Sequence, residues 1–196
     1  MDKIIEFKCV PEKLVYNSEN FKIYGVSVNS FEYPDVCINK YGTATIKGNV
    51  TELSLGSDYI VKAKEVSDSY GVGYFVINIK REKPMTLAAT RNFLYEILTV
   101  NQTDVLLKAY PDIVDRVINN RLDDIDLNKT KGIKDYTFNV IKNKIIENFK
   151  LAEIVEEFMG IFNLSIVKKL YEKYTSVDKI KEVIREEPYK CLCRLG

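Results

Sequence analysis

The sequence predicts an α+β chain: a small OB-like β-barrel followed by an all-α domain of tandem helix-hairpin-helix units. Three observations carry that expectation. Before Pro84, short runs alternate apolar and polar residues between turn signals, which is the period of half-buried strands. After Pro84, apolar residues recur three and four positions apart, the period of amphipathic helices. Among those helical stretches lie two Gly-Ile turns, Lys131-Gly132-Ile133 and Met159-Gly160-Ile161. The boundary predicted is therefore residues 1–83 for the barrel and 84–196 for the helical domain.

In the first part, Phe21 to Val28 reads as a strand. Thr43 to Val50 alternates, with Ala44, Ile46 and Val50 on one face and Thr45, Lys47 and Asn49 on the other. Leu55-Gly56-Ser57-Asp58 is a turn. Tyr59, Val61 and Ala63 then alternate with Ile60, Lys62 and Lys64. Ser67 to Gly71 makes the next turn, after which Phe75, Ile77 and Ile79 alternate with Tyr74, Asn78 and Lys80. Several short strands in about 80 residues fit a barrel of about five strands. Residues 1–42 read either as barrel strands or in part as an added arm. Lys47, Lys62, Lys64 and Lys80 share an outer face with Tyr74, an arrangement that suits single-stranded nucleic acid, although lysine is also common on wet strands.

In the second part, four apolar stripes predict packed helices: Phe138, Ile141, Ile145 and Phe149; Leu151, Ile154, Val155 and Phe158; Ile166, Leu170 and Tyr174; Val177, Ile180 and Ile184. Leu106–Tyr110 and Leu170–Tyr174 each end a helix and lead through a polar break into a second short helix, Ile113–Asn120 and Ile180–Glu187. This is an internal repeat. Thr99 to Asp104 occupies a third hairpin position and has no glycine. Leu195-Gly196 reads as the opening of a further copy, so the chain is expected to stop before a following domain.

A glycine turn entering a helix N-terminus presents backbone N–H groups to an anion. Glycine can equally do no more than end one helix and start the next. Local charge separates the two copies. Asp112 to Asp126 holds five acids against Arg116 and Arg121, whereas Lys129 to Lys150 holds six lysines against Asp135 and Glu147. The candidate DNA-binding residues are accordingly Lys131, Gly132, Ile133, Lys134 and Lys142, followed by Gly160, Ile161, Lys168 and Lys169.

Composition narrows the chemistry. Lys and Arg number 29 and Asp and Glu 28, so any nucleic-acid affinity must come from local patches. Histidine is absent, which excludes Ser-His-Asp and Cys-His catalysis and histidine-bound zinc. Cys9, Cys37, Cys191 and Cys193 match no zinc spacing and read as reduced thiols. The start of the chain lacks a signal core and no run reaches the ~18 apolar residues of a membrane span. A cytoplasmic protein without membrane, metal or catalytic residues is expected.

From about residue 43 onward the chain resembles the N-terminal region of the long-form RecD-like DNA helicases of superfamily 1 (the exodeoxyribonuclease V alpha type). The residues that carry the resemblance are Ile46-Lys47-Gly48-Asn49-Val50, the Leu55-Gly56 turn, Tyr70-Gly71, and Pro84-Met85-Thr86 leading to Arg91-Asn92-Phe93-Leu94. Tyr174, Val183 to Tyr189 and Leu195-Gly196 follow in the same order. The resemblance implies an accessory fragment of an ATP-dependent 5′-to-3′ helicase acting in repair or recombination. Its partners would be single-stranded or forked DNA, gripped without sequence preference, and the motor of the same parent chain. The family's motor needs a Walker A loop for ATP and magnesium. No such string occurs here, so this fragment has no cofactor of its own. The family's hairpins read Gly-Ile-Gly, whereas Lys134 and Phe162 stand in the place of the second glycine. Phe162 is then either an apolar plug or a docking residue. A free-standing DNA-binding module and a protein-docking scaffold with degenerate hairpins are the alternatives.

Overall fold

A computed structural model describes residues 3–158 and 161–189. Its class is α+β: a small closed barrel of five strands followed by helices. The strands are β1 (Ile4–Asn17), β2 (Lys22–Ser27), β3 (Ala44–Gly48), β4 (Tyr59–Asp68) and β5 (Gly71–Arg81). The helices are α1 (Leu87–Tyr95), α2 (Val100–Ala109), α3 (Ile113–Ile118), α4 (Asp135–Phe149), α5 (Leu151–Glu157), α6 (Leu164–Tyr174) and α7 (Val177–Glu186). Among the described residues no helix is long and apolar enough to cross a membrane.

Strand order around the barrel is β1-β2-β3-β5-β4, with β4 returning to β1. Closure depends on β1, which serves two neighbours. Its first half pairs with β4, from Ile4 opposite Lys64 to Cys9 opposite Tyr59. Its second half pairs with β2, from Val10 opposite Ser27 to Asn17 opposite Lys22. The register slips twice, between Pro11 and Lys13 and between Leu14 and Tyr16, and each extra residue bends the strand. Residues 4–17 and 22–27 are thus barrel strands. All the pairs are antiparallel except β3 with β5.

The barrel core contains Phe7, Val26, Ala44, Ile46, Val61, Ala63 and Ile79. Three core tyrosines turn their hydroxyls to loop backbone. Tyr24 accepts from Leu53 N at 3.1 Å, Tyr59 from Ser54 N at 3.0 Å, and Tyr74 from Cys37 N at 2.6 Å. A buried hydroxyl without a partner is costly, so each ring fixes a loop while filling the core.

β5 departs from its sequence pattern. Tyr74, expected on the wet face, is fully buried, and Phe75 is 44% exposed. The cause is a bulge: Lys62 faces Asn78 and Ala63 faces Val76, which leaves Ile77 as the extra residue. An inserted residue shifts the alternation by one, so Ile79 points inward beyond the bulge and Tyr74 points inward before it.

The chain forms two compact units. One is the barrel with α5–α7, and the other is α1–α4, residues Lys83–Lys150. The break expected near Pro84 falls after Glu82, and a second break at Lys150 divides what reads as one helical stretch. α5 lies on β5, where Asn78 Nδ2 donates to Ala152 O at 3.5 Å and Lys80 pairs with Glu156 at 3.1 Å. α7 is tied to α5 through Glu157, which pairs with Lys181 at 2.7 Å and with Arg185. In α6 the buried residues are Val167, Leu170 and Tyr171. Ile166 and Tyr174 of the expected stripe lie at its half-exposed margins.

The other unit closes on Phe93, Leu94, Leu106, Ile113, Ile133, Ile141 and Ile145. Thr99 is the N-cap of α2, in a capping box with Gln102. The segment from Val100 to Asp104, expected as a degenerate hairpin, is therefore the first turns of a helix. The sequence signal was present: threonine followed three residues later by glutamine.

Candidate nucleic-acid interface

The Gly132 turn is built from short-range bonds. A 3₁₀ turn at Leu127–Lys129 leads into Thr130, which is buried and donates its hydroxyl to Leu127 O at 2.9 Å. Ile133 N then donates to Thr130 O at 3.0 Å. Gly132 adopts φ +86°, in the left-handed region where a side chain is strained. Nothing lies within 4 Å of the position a Cβ would take there, so the space above the turn is open. The Gly132 carbonyl is held by Gln102 Nε2 at 3.2 Å.

α4 starts directly after this turn. Its N-cap is Lys134, whose side chain makes no capping bond. The first-turn amides of α4 therefore have no side-chain acceptor from the cap, and the one carboxylate in that turn is Asp135. Lys131 and Lys134 are both exposed beside it. Lys142 is half-buried, eight residues further along α4, or about 12 Å at the helical rise. Tyr136 in the first turn is 81% exposed. Ile133 is different: at 2% exposure its side chain belongs to the core, and it anchors the turn rather than touching a ligand.

The acidic stretch preceding this turn has a structural use. Arg116 pairs with Asp112 at 2.7 Å and with Asp124 at 2.5 Å. Its guanidinium also lies 5.5 Å from the centre of the Tyr110 ring. The Tyr110 hydroxyl accepts from Asp126 N at 2.7 Å. The hydrogen bond from Arg116 is the first cause that lowers the Asp124 carboxyl below its ordinary range. The negative charge is thus partly consumed in holding the segment between α3 and the Gly132 turn.

The second candidate lies in the barrel unit. Gly160 falls outside the described residues. Ile161 is 60% exposed, and its N–H donates to Phe158 O at 3.1 Å. Phe162 is 1% exposed and packs edge-on against Phe158, with centroids 6.2 Å apart, so it is an apolar plug. Asn163 caps α6, accepting from Ile166 N at 3.0 Å. This cap occupies a donor that the α4 start leaves uncovered. Lys168 is half-buried on α6 and Lys169 is exposed. The eight described candidate residues thus belong to two units, with Lys131, Gly132, Ile133, Lys134 and Lys142 in one and Ile161, Lys168 and Lys169 in the other.

On the barrel, the four lysines of the expected outer face are not equivalent. Lys47 pairs with Asp68 at 2.5 Å and Lys80 with Glu156 at 3.1 Å. Lys62 is exposed and Lys64 half-buried. Their aromatic neighbour is Phe75 in place of Tyr74, because of the bulge at Ile77. Sequence alternation alone misassigns it, since nothing local announces an unpaired residue. The chain matches no protein-family model, and no curated protein matches its sequence.

Proposed function

We propose that this chain is the accessory N-terminal part of a RecD-like, ATP-dependent 5′-to-3′ DNA helicase. It contributes sequence-independent contact with single-stranded or forked DNA during repair or recombination. The observation that carries the reading is the Gly132 turn: an open left-handed glycine, a helix start without a side-chain cap, and two exposed lysines beside it. Backbone donors and lysines of this kind suit phosphate, which is common to every DNA sequence.

The barrel is read more finely as OB-like, on the grounds of its five strands and closed order. The pairs α1–α2 and α5–α6, separated in sequence only by residues 96–99 and 158–163, support tandem helix-hairpin-helix units. ATP and magnesium belong to the motor of the parent chain. The residues here hold DNA and do no chemistry on it.

The test is fluorescence anisotropy of the chain with single-stranded and forked DNA across a salt series. Each lysine that neutralises a phosphate adds about 0.7 to the log–log salt slope on a single strand. Lys131→Glu with Lys134→Glu is expected to weaken binding and flatten the slope by about 1.4. Unaltered affinity and slope in a folded double variant refute the assignment. A protein-docking scaffold is the second reading, favoured by the buried Phe162 and Ile133, which use hairpin positions for packing. Wild-type chain without DNA affinity at low salt selects it.

A further inference from the structure

Two turns in the connection between β2 and β3 display an aromatic ring by the same device. At the first, Asn29 Oδ1 accepts from Phe31 N at 3.1 Å, and Asn29 O accepts from Glu32 N at 3.1 Å and Tyr33 N at 2.9 Å. At the second, Asn39 Oδ1 accepts from Tyr41 N at 2.9 Å, and Asn39 O accepts from Gly42 N at 3.0 Å. Asn39 N donates to Thr43 O at 2.8 Å, which closes this turn onto the start of β3. An asparagine side chain that holds the N–H two residues on mimics a backbone turn and fixes its shape. The stretch between the turns is tied to the barrel, because Val36 lies in its core and Tyr33 packs edge-on against Phe7 at 6.5 Å. Phe31 is nonetheless 98% exposed and Tyr41 77%.

Apolar residues scattered over a surface are ordinary. These two differ because a bonded backbone holds them out, so little ordering entropy is lost when a partner covers them. Aromatic rings presented in this way are typical anchors of protein contacts. Charge selects the partner. Glu32, held by Asn29 Nδ2 at 3.1 Å, and the exposed Asp35 stand near Phe31 in the chain. Those carboxylates repel phosphate, so this tip suits neither nucleic acid nor an anionic lipid surface. Lys40 stands beside Tyr41, with its ammonium 5.1 Å from the ring centre. One connection thus carries an acidic aromatic tip and a basic aromatic tip. A two-fold axis sets the acidic tip of each copy on the basic tip of the other, which makes the surface complementary to itself.

We propose that the connection between β2 and β3 is the contact through which two copies of this chain associate. Phe31 of each copy packs on Tyr41 of the other, and Glu32 and Asp35 face Lys40. An aromatic side chain buries about 150–250 Å², so four rings supply roughly 600–1,000 Å². That is less than the ~1,200 Å² at which standard interfaces begin, so the dimer is weak and reversible. The proposal concerns the barrel alone and does not rest on the Gly132 reading.

The test is sedimentation velocity of the full chain from micromolar to millimolar concentration, with a reductant present because Cys37 is exposed. Wild type is expected to pass from monomer to dimer across that range. Phe31→Ser with Tyr41→Ser is expected to weaken association about tenfold or more. Lys40→Glu is expected to weaken it several-fold, and adding Glu32→Lys and Asp35→Lys to that variant to restore it, because the two tips have then exchanged charge. The chain has no tryptophan, so Phe31→Trp supplies a single reporter whose emission is expected to move to shorter wavelength as the dimer forms. Wild type that stays monomeric throughout, a dimer indifferent to the serine variant, or a charge exchange that fails to restore association overturns the proposal. Where the serine variant fails to fold, the tryptophan variant decides: emission unchanged through the dimer transition overturns it.

Discussion

Replacing Gly132 by alanine isolates the backbone cost of the turn at the candidate interface. Nothing lies within 4 Å of the new Cβ, so no steric clash contributes. What remains is the conformational penalty of holding an L-residue at φ +86°. That penalty is about 1–2 kcal/mol for a left-handed residue. The angle lies beyond the left-handed minimum near +57°, which favours the upper half of the range. For a chain of this size each kcal/mol moves the midpoint by about 2–4 °C, so a fall of roughly 2–8 °C is expected. The measurement is urea unfolding and a thermal scan of wild type, Gly132→Ala and Gly132→Asn. Asparagine tolerates this region better and is expected to lose less. A loss under about 0.5 kcal/mol in the alanine variant refutes the claim that Ile133 and Gln102 lock the turn in this geometry. A loss above about 3 kcal/mol refutes the open space, because only a clash adds that much.

Three further outcomes are expected. Thr103 is fully buried and its hydroxyl has no hydrogen-bond partner, so the isosteric Thr103→Val is expected to be neutral or to stabilise by up to about 1 kcal/mol in urea unfolding. Burial pushes the Cys9 thiol up to about 12, whereas Cys37 is exposed. Brief alkylation at pH 8 followed by peptide mass mapping should therefore modify Cys37 and spare Cys9 in the native chain. Hydrogen bonding from Lys181, and then from Arg185, lowers the Glu157 carboxyl below its ordinary 4.5. A depressed carboxyl contributes stability above its unfolded value and loses it as pH falls through the folded one. Glu157→Gln is thus expected to be less stable at pH 7 and to lose less between pH 5 and pH 3, measured by denaturation across pH.

Much of the fold is legible because local periodicity and burial coincide. Ala44, Ile46, Val50, Tyr59, Val61 and Ala63 alternate in sequence and are buried. The same holds for Ile141, Ile145 and Phe149 on α4, and for Ile180 and Ile184 on α7. Legibility fails where a residue's direction depends on a partner distant in sequence. Tyr74 and Phe75 exchange faces because of an unpaired Ile77, and that extra residue is defined only against Lys62 and Ala63 of β4. β1 escapes notice for a related reason. Its 14 residues serve two neighbours in turn, so no single alternation runs through it.

At the candidate site the division is similar. Sequence by itself determines an α+β chain with a strand-rich first part, the glycine at 132 and the lysines around it, because charge and turn chemistry are local properties. It also determines the absence of histidine chemistry. Tertiary structure decides that Ile133 is an anchor, that Phe162 is a plug, and that α4 begins without a side-chain cap while α6 has Asn163. It also groups α5–α7 with the barrel and turns Tyr74 inward and Phe75 outward on β5. The physical reason is the same throughout. Period, charge and turn preference act over a few residues, whereas register, burial and facing depend on which distant segment packs against them.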